Sequence, residues 1–428
     1  MPRAAFHDAG LTSLISPYGL ISQVGTTTPL RGLDDLNCAF ADAGAPWHHP
    51  GHQLKGTGVA IGDPGLARRV AIAEAAERLA GVDSGAEDYV WAEAAGLSGP
   101  VLDLARIPRC SESEYADPDC PLVPPDPGRL IRWSRGVELS TGSSIWVPSV
   151  MTIWGLPDRV RAENFWHSLS TGYAVHTDPA AALCAAICEV VERDVVEVLW
   201  AQMLPVPHLH PSHFSADCRR ILDWCSAHFI EANLFDVTSD LAVPSVYCLL
   251  RAEHHPRLRN FVGCSTGVSL AAAADKVLLE TLIFRQSLDA AAPRSQEDMA
   301  RSASLTDGTL YMAAPERSSA FDFLAGGHHD RPPAPATCLP TDPGDRLRLL
   351  IARLAWRDVQ VIAVDRTTDD LSRAGLHAYC VLIPDLQPMV VAPRGRYRGH
   401  GRLYAAPALM GYRSLPEEEL NPWPQPFA

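Results

Sequence analysis

Several signatures of familiar enzyme chemistry are missing from these 428 residues. There is no Gly-x-x-x-x-Gly-Lys-Ser/Thr run, so no standard P-loop cradles a phosphate. There is no Gly-x-Ser-x-Gly elbow or other credible nucleophile motif, which argues against covalent catalysis by the chain's own serine or cysteine. The eleven cysteines are scattered, without one Cys-x-x-Cys pair, which argues against a structural zinc site. Basic charge is scarce: 36 Lys+Arg face 50 Asp+Glu, for a net charge of -14, and arginine far outnumbers lysine. Nucleic acids and anionic membranes select basic surfaces, so neither is an expected partner. No apolar run reaches the ~20 residues that a spanning helix needs. The start, MPRAAFHDAGLTSL, lacks the apolar core of a signal peptide. These absences predict a cytoplasmic protein. A 47% hydrophobic content predicts a large core, and the Ala-, Pro- and Arg-rich composition hints at a GC-rich bacterial source.

What is present is a theme stated three times. GVAIGDPGLARRVAIAEAAERLA runs from Gly58, STGYAVHTDPAAALCAAICEVVERDVV from Ser170, and STGVSLAAAADKVLLETLIFRQSL from Ser265. Each opens with glycine and small polar residues and continues as a mostly apolar helix. Asp63 precedes Glu74 by the same eleven residues by which Asp178 precedes Glu189. The first two helices carry Glu-x-x-Glu-Arg: Glu74, Glu77, Arg78 and Glu189, Glu192, Arg193. The third keeps Glu280 and an arginine, Arg285, one place later.

At about 100° per residue, positions i, i+3 and i+4 share one helix face. Around Glu74, Glu77 and Arg78 the rest of the first helix across 70–79 is apolar, with Val70, Ala71, Ile72, Ala73, Ala75, Ala76 and Leu79, which predicts a buried helix carrying buried acids. Two buried carboxylates do not both stay ionised without positive charge between them. One arginine per helix is too little, and divalent cations complete the balance, Mg2+ being usual where oxygen ligands share it with phosphate. Cys184 and Cys188, one turn apart on the second helix, read as small core hydrophobes. The pairs His48-His49, His254-His255 and His328-His329 read as solvated loop residues rather than metal ligands.

Along the chain, LTSLIS and GLISQVG read as strand-like pieces. RLIRWSRGVEL and SSIWVPSVMTIW read as strands joined at Ser140-Thr141-Gly142, and HFIEANLFDVT and AVPSVYCLLRAE as two more. Residues 289–340 read as a polar, lid-like loop region. RLRLLIARLAWR reads as a helix, and DVQVIAVDRTT and LHAYCVLIPDL as strands. The fold class expected is mixed α/β (α+β), one intertwined domain of repeated β/α units over 1–428. It has an opening segment at 1–57, a core at 58–415 and a Pro-rich tail at 416–428.

At the repeats the chain resembles the YcaO family over nearly its whole length. GDPGLARRVAIAEAAER matches that family's first acidic signature, around Glu74, Glu77 and Arg78. STGYAVHTDPAAALCAAICEVVERD matches the second, with Ser170, Gly172, Glu189, Glu192, Arg193 and Asp194. VIAVDRTTDDLSRAGLHAYCVLIPDLQP resembles its closing strand pair. The ending NPWPQPFA, with Pro422, Pro424 and Pro426, resembles the Pro-x-Pro-x-Pro tail of the azoline-forming branch.

The resemblance implies a YcaO-type fold around an acid-lined nucleotide site, with ATP and Mg2+ as cofactors. It implies that Glu74, Glu77, Glu189 and Glu192 hold the metal. It implies nucleotide contacts from Arg78, Ser170, Gly172, Arg193, Glu280 and Arg285. It gives the stiff tail a positioning role through Pro422, Pro424 and Pro426, with the Ala428 carboxylate as, or beside, a base. The implied activity is an ATP-dependent cyclodehydratase that converts Cys, Ser or Thr of a ribosomally made precursor peptide into thiazoline or oxazoline. The nucleophile then belongs to the substrate, which agrees with its absence here. With no extra domain to grip a leader peptide, the expected partners are that precursor, a separate leader-binding protein of the ubiquitin-activating superfamily, a flavin dehydrogenase that oxidises the rings, and a second copy in a homodimer. Thioamide or macroamidine formation is the alternative within the family. A non-catalytic scaffold is the alternative outside catalysis, motivated by Val70 and Ile283, which stand where the family often carries polar residues.

Overall fold

The computed structural model describes residues 8–27, 30–44, 54–82, 89–300, 304–325, 338–390 and 393–427. Among the described residues twelve strands and twelve α-helices, numbered in chain order, form two compact units, each assembled from separate stretches of chain. The first unit comprises the described residues within 1–105, 125–187 and 342–383, and the second those within 106–124, 188–341 and 384–428.

In the first unit β1 (Gln23–Thr27), β2 (Leu36–Asp42) and β3 (Lys55–Ile61) make an antiparallel sheet in the order β1-β2-β3. Helix α2 (Pro64–Val82) lies on β3, and the reason is legible atom by atom. A Cβ on Gly58 would stand 1.9 Å from the Ala67 carbonyl oxygen, and one on Gly56 would stand 2.0 Å from that of Ala71. The helix answers with Ala67, Ala71, Ala75 and Ala76, all fully buried with Ala39, Ala41 and Ala60 of the sheet. Small residues on both sides bring backbones together, and the stretch that looks bland in sequence is a tight joint. Helix α1 (Asp8–Ser13) covers this core through Leu11, and Leu14 just after it joins the same cluster. Residues 11–13, the first half of LTSLIS, are therefore helix rather than strand, while Ile15 makes only an isolated bridge to Ile21.

The second sheet of this unit contains β4 (Val90–Ala92), β5 (Ile131–Glu138), β6 (Ser144–Pro148), β7 (Tyr173–His176), β11 (Ile362–Asp365) and β12 (His377–Leu382). Its order is β4-β5-β11-β12-β7, with β6 also on β5, and every pairing is antiparallel. The expected β5–β6 turn is there, with Gly142 at φ 70°. So is the expected closing pair, with Ile362 opposite Leu382. Helix α10 (Pro343–Trp356) and the short α11 (Asp369–Arg373) complete the unit. Helix α4 (Pro179–Gln202) begins here and continues into the second unit.

In the second unit β8 (Glu231–Asp236), β9 (Ser245–Arg251) and β10 (Asn260–Thr266) pair antiparallel in the order β10-β9-β8. Helix α6 (Leu270–Ser287) packs on them, and α5 (Ala216–Ala227) lies beside α6. The unit also holds α3 (Glu112–Ala116), α7 (Gln296–Ala300), α8 (Leu305–Met312), α9 (Asp322–Ala325) and α12 (Arg402–Leu409). The stretch expected as a loop at 289–340 thus contains α7 to α9. Its polar composition hides the buried Leu310, Tyr311, Phe321 and Leu324. Asp194, which closes the second acidic signature, is fully buried and accepts a forked pair of bonds from Arg402, which also reaches Asp240 at 2.8 Å. These paired buried charges tie α12 to α4.

Candidate functional site

The matched spacing of the repeats is a helix-start device. Asp63 Oδ1 accepts the Leu66 amide at 2.9 Å, Asp178 Oδ1 accepts that of Ala181 at 2.8 Å, and Ser269 Oγ accepts that of Ala272 at 3.2 Å. Each side chain caps its helix, and Pro64 and Pro179 occupy the first turn, where no amide donor is needed. The third helix obeys the rule too, since Ser269 precedes Glu280 by the same eleven residues. Three turns of helix therefore separate each cap from its acid.

In the first unit, Glu74 Oε1 accepts Arg78 Nη2 at 2.6 Å and its Oε2 accepts the Thr57 amide of β3 at 2.7 Å. Glu74, Glu77 and Arg78 are half-buried, forming a polar edge on an otherwise packed helix. Gly172 has φ 85°, makes the turn into β7 and accepts the Val381 amide at 2.7 Å; Ser170 is half-buried just before that turn.

In the second unit the charges gather between α4 and α6. Arg193 Nη2 donates to Glu189 Oε1 at 3.2 Å, and its Nη1 lies 3.5 Å from Glu192 Oε1. Glu192, only 8% exposed, also accepts the Thr266 amide of β10 at 2.9 Å. Burial works against the Arg193 charge, and Glu192 with Glu189 outweighs it. From α6, Lys276 lies 3.9 Å from Glu280. Glu280 chiefly, against a loss from burial and with help from Glu192 and Glu189, holds the Lys276 ammonium well above its usual range. Lys276 and Glu280 nonetheless keep 54% and 52% of their side chains open to solvent.

Two expectations change. The acids were expected to be buried, yet of Glu74, Glu77, Glu189, Glu192 and Glu280 only Glu192 is; the others line open edges, because the apolar surface around them is spent on the sheets. Arg285 was expected beside the nucleotide, yet its Nη2 donates to the Leu258 carbonyl at 3.0 Å, with Asp289 and Cys225 as its charged and polar neighbours. Arg78 and Arg193 follow their glutamates by four residues, Arg285 by five. That one residue turns it about 100° away from the acidic face. The cation paired with Glu280 stands one turn before it, at Lys276. This is the residue that sequence reasoning missed, and rarity was the signal: Lys55 and Lys276 are the chain's two lysines. Ile283 is buried among the apolar residues of α6, and Val70 is half-buried on α2. Of the histidine pairs, His254 is exposed and His255 Nε2 meets Asp289 Oδ1 at 2.9 Å, while His48-His49 and His328-His329 lie outside the described residues.

The tail is docked. Asn421 donates through its amide to the Ala201 carbonyl at 2.9 Å and through Nδ2 to that of Trp200 at 3.0 Å. Its own carbonyl accepts Arg396 Nη1 at 2.8 Å. The Trp423 and Pro426 carbonyls accept Trp200 Nε1 at 3.1 Å and Thr309 Oγ1 at 2.9 Å. The Gln425 carbonyl presses on α8 where a Cβ on Gly308 would come within 2.5 Å. Pro422 is exposed, Pro424 half-buried and Pro426 buried. Prolines suit such a berth, since they bring no amide donors that would need partners. The Phe427 ring ends 4.5 Å from the Arg193 guanidinium carbon. Ala428 lies outside the described residues.

The donor set fits magnesium and a polyphosphate. Carboxylate oxygens suit Mg2+, which keeps waters and substrate phosphates as its other ligands, while Arg193 and Lys276 suit phosphate oxygens. Among the described residues no group of three or more His, Cys, Asp or Glu stands close enough to hold a metal ion by itself. No described helix is long and apolar enough to cross a membrane.

Comparison with known proteins agrees. The chain is similar to an uncharacterised protein in the tfuA 3' region of Rhizobium leguminosarum bv. trifolii, 26% identical over 240 residues, which are 54% of this chain and 52% of that protein. It spans about half the length of that relative. Its fold matches a heterocyclase in complex with substrate and cofactor, with a TM-score of 0.83 at 19% identity over 99% of this chain and 58% of that one. It also matches the heterocyclase TruD, with a TM-score of 0.63 at 20% identity over 84% and 50%. A third match is YcaO from Methanopyrus kandleri bound with AMPPCP and Mg2+, with a TM-score of 0.60 at 16% identity over 85% of each chain. Residues 62–387 match the family described as YcaO cyclodehydratase, ATP- and Mg2+-binding, and so cover both acidic signatures and the closing strand pair. On that match and this architecture, the chain belongs to the YcaO family.

Proposed function

We propose that this chain is an ATP-dependent cyclodehydratase acting on a ribosomally made precursor peptide and forming thiazoline or oxazoline rings from Cys, Ser or Thr. One observation carries the reading: a tail of alternating prolines is seated on the same unit as the second acidic signature and ends against Arg193. ATP supplies the phosphoryl group that takes away the amide oxygen. The chain's own part is positioning and charge. In the second unit Glu189 and Glu192 would hold Mg2+, while Arg193 and Lys276 would hold phosphate oxygens; in the first unit the same roles fall to Glu74 and Glu77 toward Mg2+ and to Arg78 toward phosphate. The substrate's side chain attacks its preceding carbonyl, so no protein nucleophile is required.

The partners follow from the chemistry. A peptide with many equivalent amides needs a grip outside the reaction centre, and a leader-binding protein of the ubiquitin-activating superfamily would give it. Ring oxidation by a flavin dehydrogenase, and assembly as a homodimer, belong to the same proposal.

The test is mass spectrometry of a candidate precursor incubated with the chain, its leader-binding partner and Mg-ATP. Each azoline removes one water, ~18 Da, and releases one phosphate. A gain of ~16 Da would show thioamide formation instead. Loss of water with a fragmentation pattern that joins an amine to the backbone would show an amidine. ATP left intact with every peptide tried would sink the enzymatic reading and favour a scaffold.

A further inference from the structure

The Arg193 guanidinium has a charge partner on each terminal nitrogen and little that fixes its plane. Nη2 reaches Glu189 at 3.2 Å, while Nη1 makes no hydrogen bond and stands 3.5 Å from Glu192. These are two long contacts to two different carboxylates. A forked pair to one carboxylate would set the plane, as Asp194 does for Arg402. The group that faces the flat side of Arg193 is the Phe427 ring, at 4.5 Å.

Phe427 is held from behind. It is 5% exposed, and its amide donates to Gln425 Oε1 at 3.3 Å. The residue before it is tied to Thr309, and the one before that lies on Gly308. The ring therefore arrives at Arg193 with its position already set by α8. A plain apolar anchor would need burial alone. A ring face under a cation offers more, because the negative π surface attracts the guanidinium without using its in-plane N–H donors.

We propose that Phe427 is a positioning residue: its ring holds the Arg193 guanidinium flat, with its edge presented to the phosphate oxygens of the nucleotide. The tail and the nucleotide are then thermodynamically linked, each binding better when the other is in place. This rests on the reading of Arg193 as a nucleotide-binding residue.

The test uses the full chain, with position 427 rebuilt by ligation of a synthetic C-terminal peptide. Phenylalanine, mono-, di- and trifluorophenylalanine keep nearly the same shape while the π face weakens, so folding is not at stake. Phe427→Leu keeps the apolar burial and removes the face. Titration with Mg-AMPPCP reads affinity. The expected result is stepwise weakening along the fluorine series, with Phe427→Leu binding about five-fold more weakly and Phe427→Tyr within about two-fold of the original. Constant affinity along the fluorine series would overturn the proposal and leave the ring as an anchor.

If the unmodified chain bound no Mg-AMPPCP, the nucleotide reading would fail separately, and melting temperature along the same series would decide the contact. A stepwise fall that disappears in an Arg193→Met background would support the ring-to-cation hold. A flat series would overturn it.

Discussion

Glu197 accepts the Val390 amide at 2.8 Å, one helical turn beyond Arg193, and it does so with its carboxyl buried. Burial pushes its pKa up from 4.5 to about 7, against the opposing pull of that amide, Arg396 and the Gln425 side chain. The Tyr247 hydroxyl, itself buried without a hydrogen bond, feels the charge of the same carboxyl. Arg396 is lowered to about 10, first by burial and then by Arg398. This acid sits where the tail is seated, and its proton has a stability consequence.

The folded chain keeps a proton on Glu197 that the unfolded chain releases between about pH 4.5 and 7. Stability therefore falls as pH rises through that window, and the penalty is complete above it. A Glu197→Gln variant escapes the penalty. Its stability relative to the parent is expected to rise from near zero at pH 4.5 to on the order of 3 kcal/mol at pH 8. Urea unfolding of both proteins at several pH values checks this, and a pH-independent difference would refute it.

Lys276 is half-exposed, so removing it should cost the fold little, within about 0.5 kcal/mol. Its charge sits among Glu280, Glu192 and Glu189. Lys276→Met is expected to weaken Mg-AMPPCP binding by about ten- to hundred-fold, the weight of a charge-assisted bond to phosphate. Calorimetry with a parallel melting curve separates the two effects. Unchanged affinity would remove Lys276 from the nucleotide site.

Gly58→Ala puts a methyl group into the Ala67 carbonyl, with no flexible side chain able to yield. The strand must lift from α2, at an expected cost of at least about 3 kcal/mol. Gly142→Ala faces open space, and its only burden is the positive φ. It is expected to cost about 1 kcal/mol. Equal unfolding midpoints for the two variants would contradict the tight joint.

The sequence made the acidic helices legible because their caps, prolines and apolar runs act locally. The tail was legible because prolines at 422, 424 and 426 permit few conformations. Lys276 was not legible, since a lysine on a helix ordinarily reads as a solvent residue, and its charged surroundings include acids on α4 that no local pattern announces. The placing of Arg285 was not legible for a geometric reason: its type and its neighbourhood in sequence matched the motif, but five residues do not share the helix face that four do, and its side chain reaches the Leu258 carbonyl. Residues 289–340 misled through composition, because their polar majority hid the few side chains that bury.

Three helices measure the same distance from their first capped amide to their glutamate. That makes the cap a ruler, and it predicts where this architecture tolerates change. Residues gained or lost in the loops ahead of Asp63, Asp178 or Ser269 leave each acid on its own stretch of helix untouched. A single residue inserted between cap and acid swings the carboxylate by about 100° and carries it about 1.5 Å along the axis. Variation in chain length is free upstream of the ruler's zero mark and forbidden along its scale.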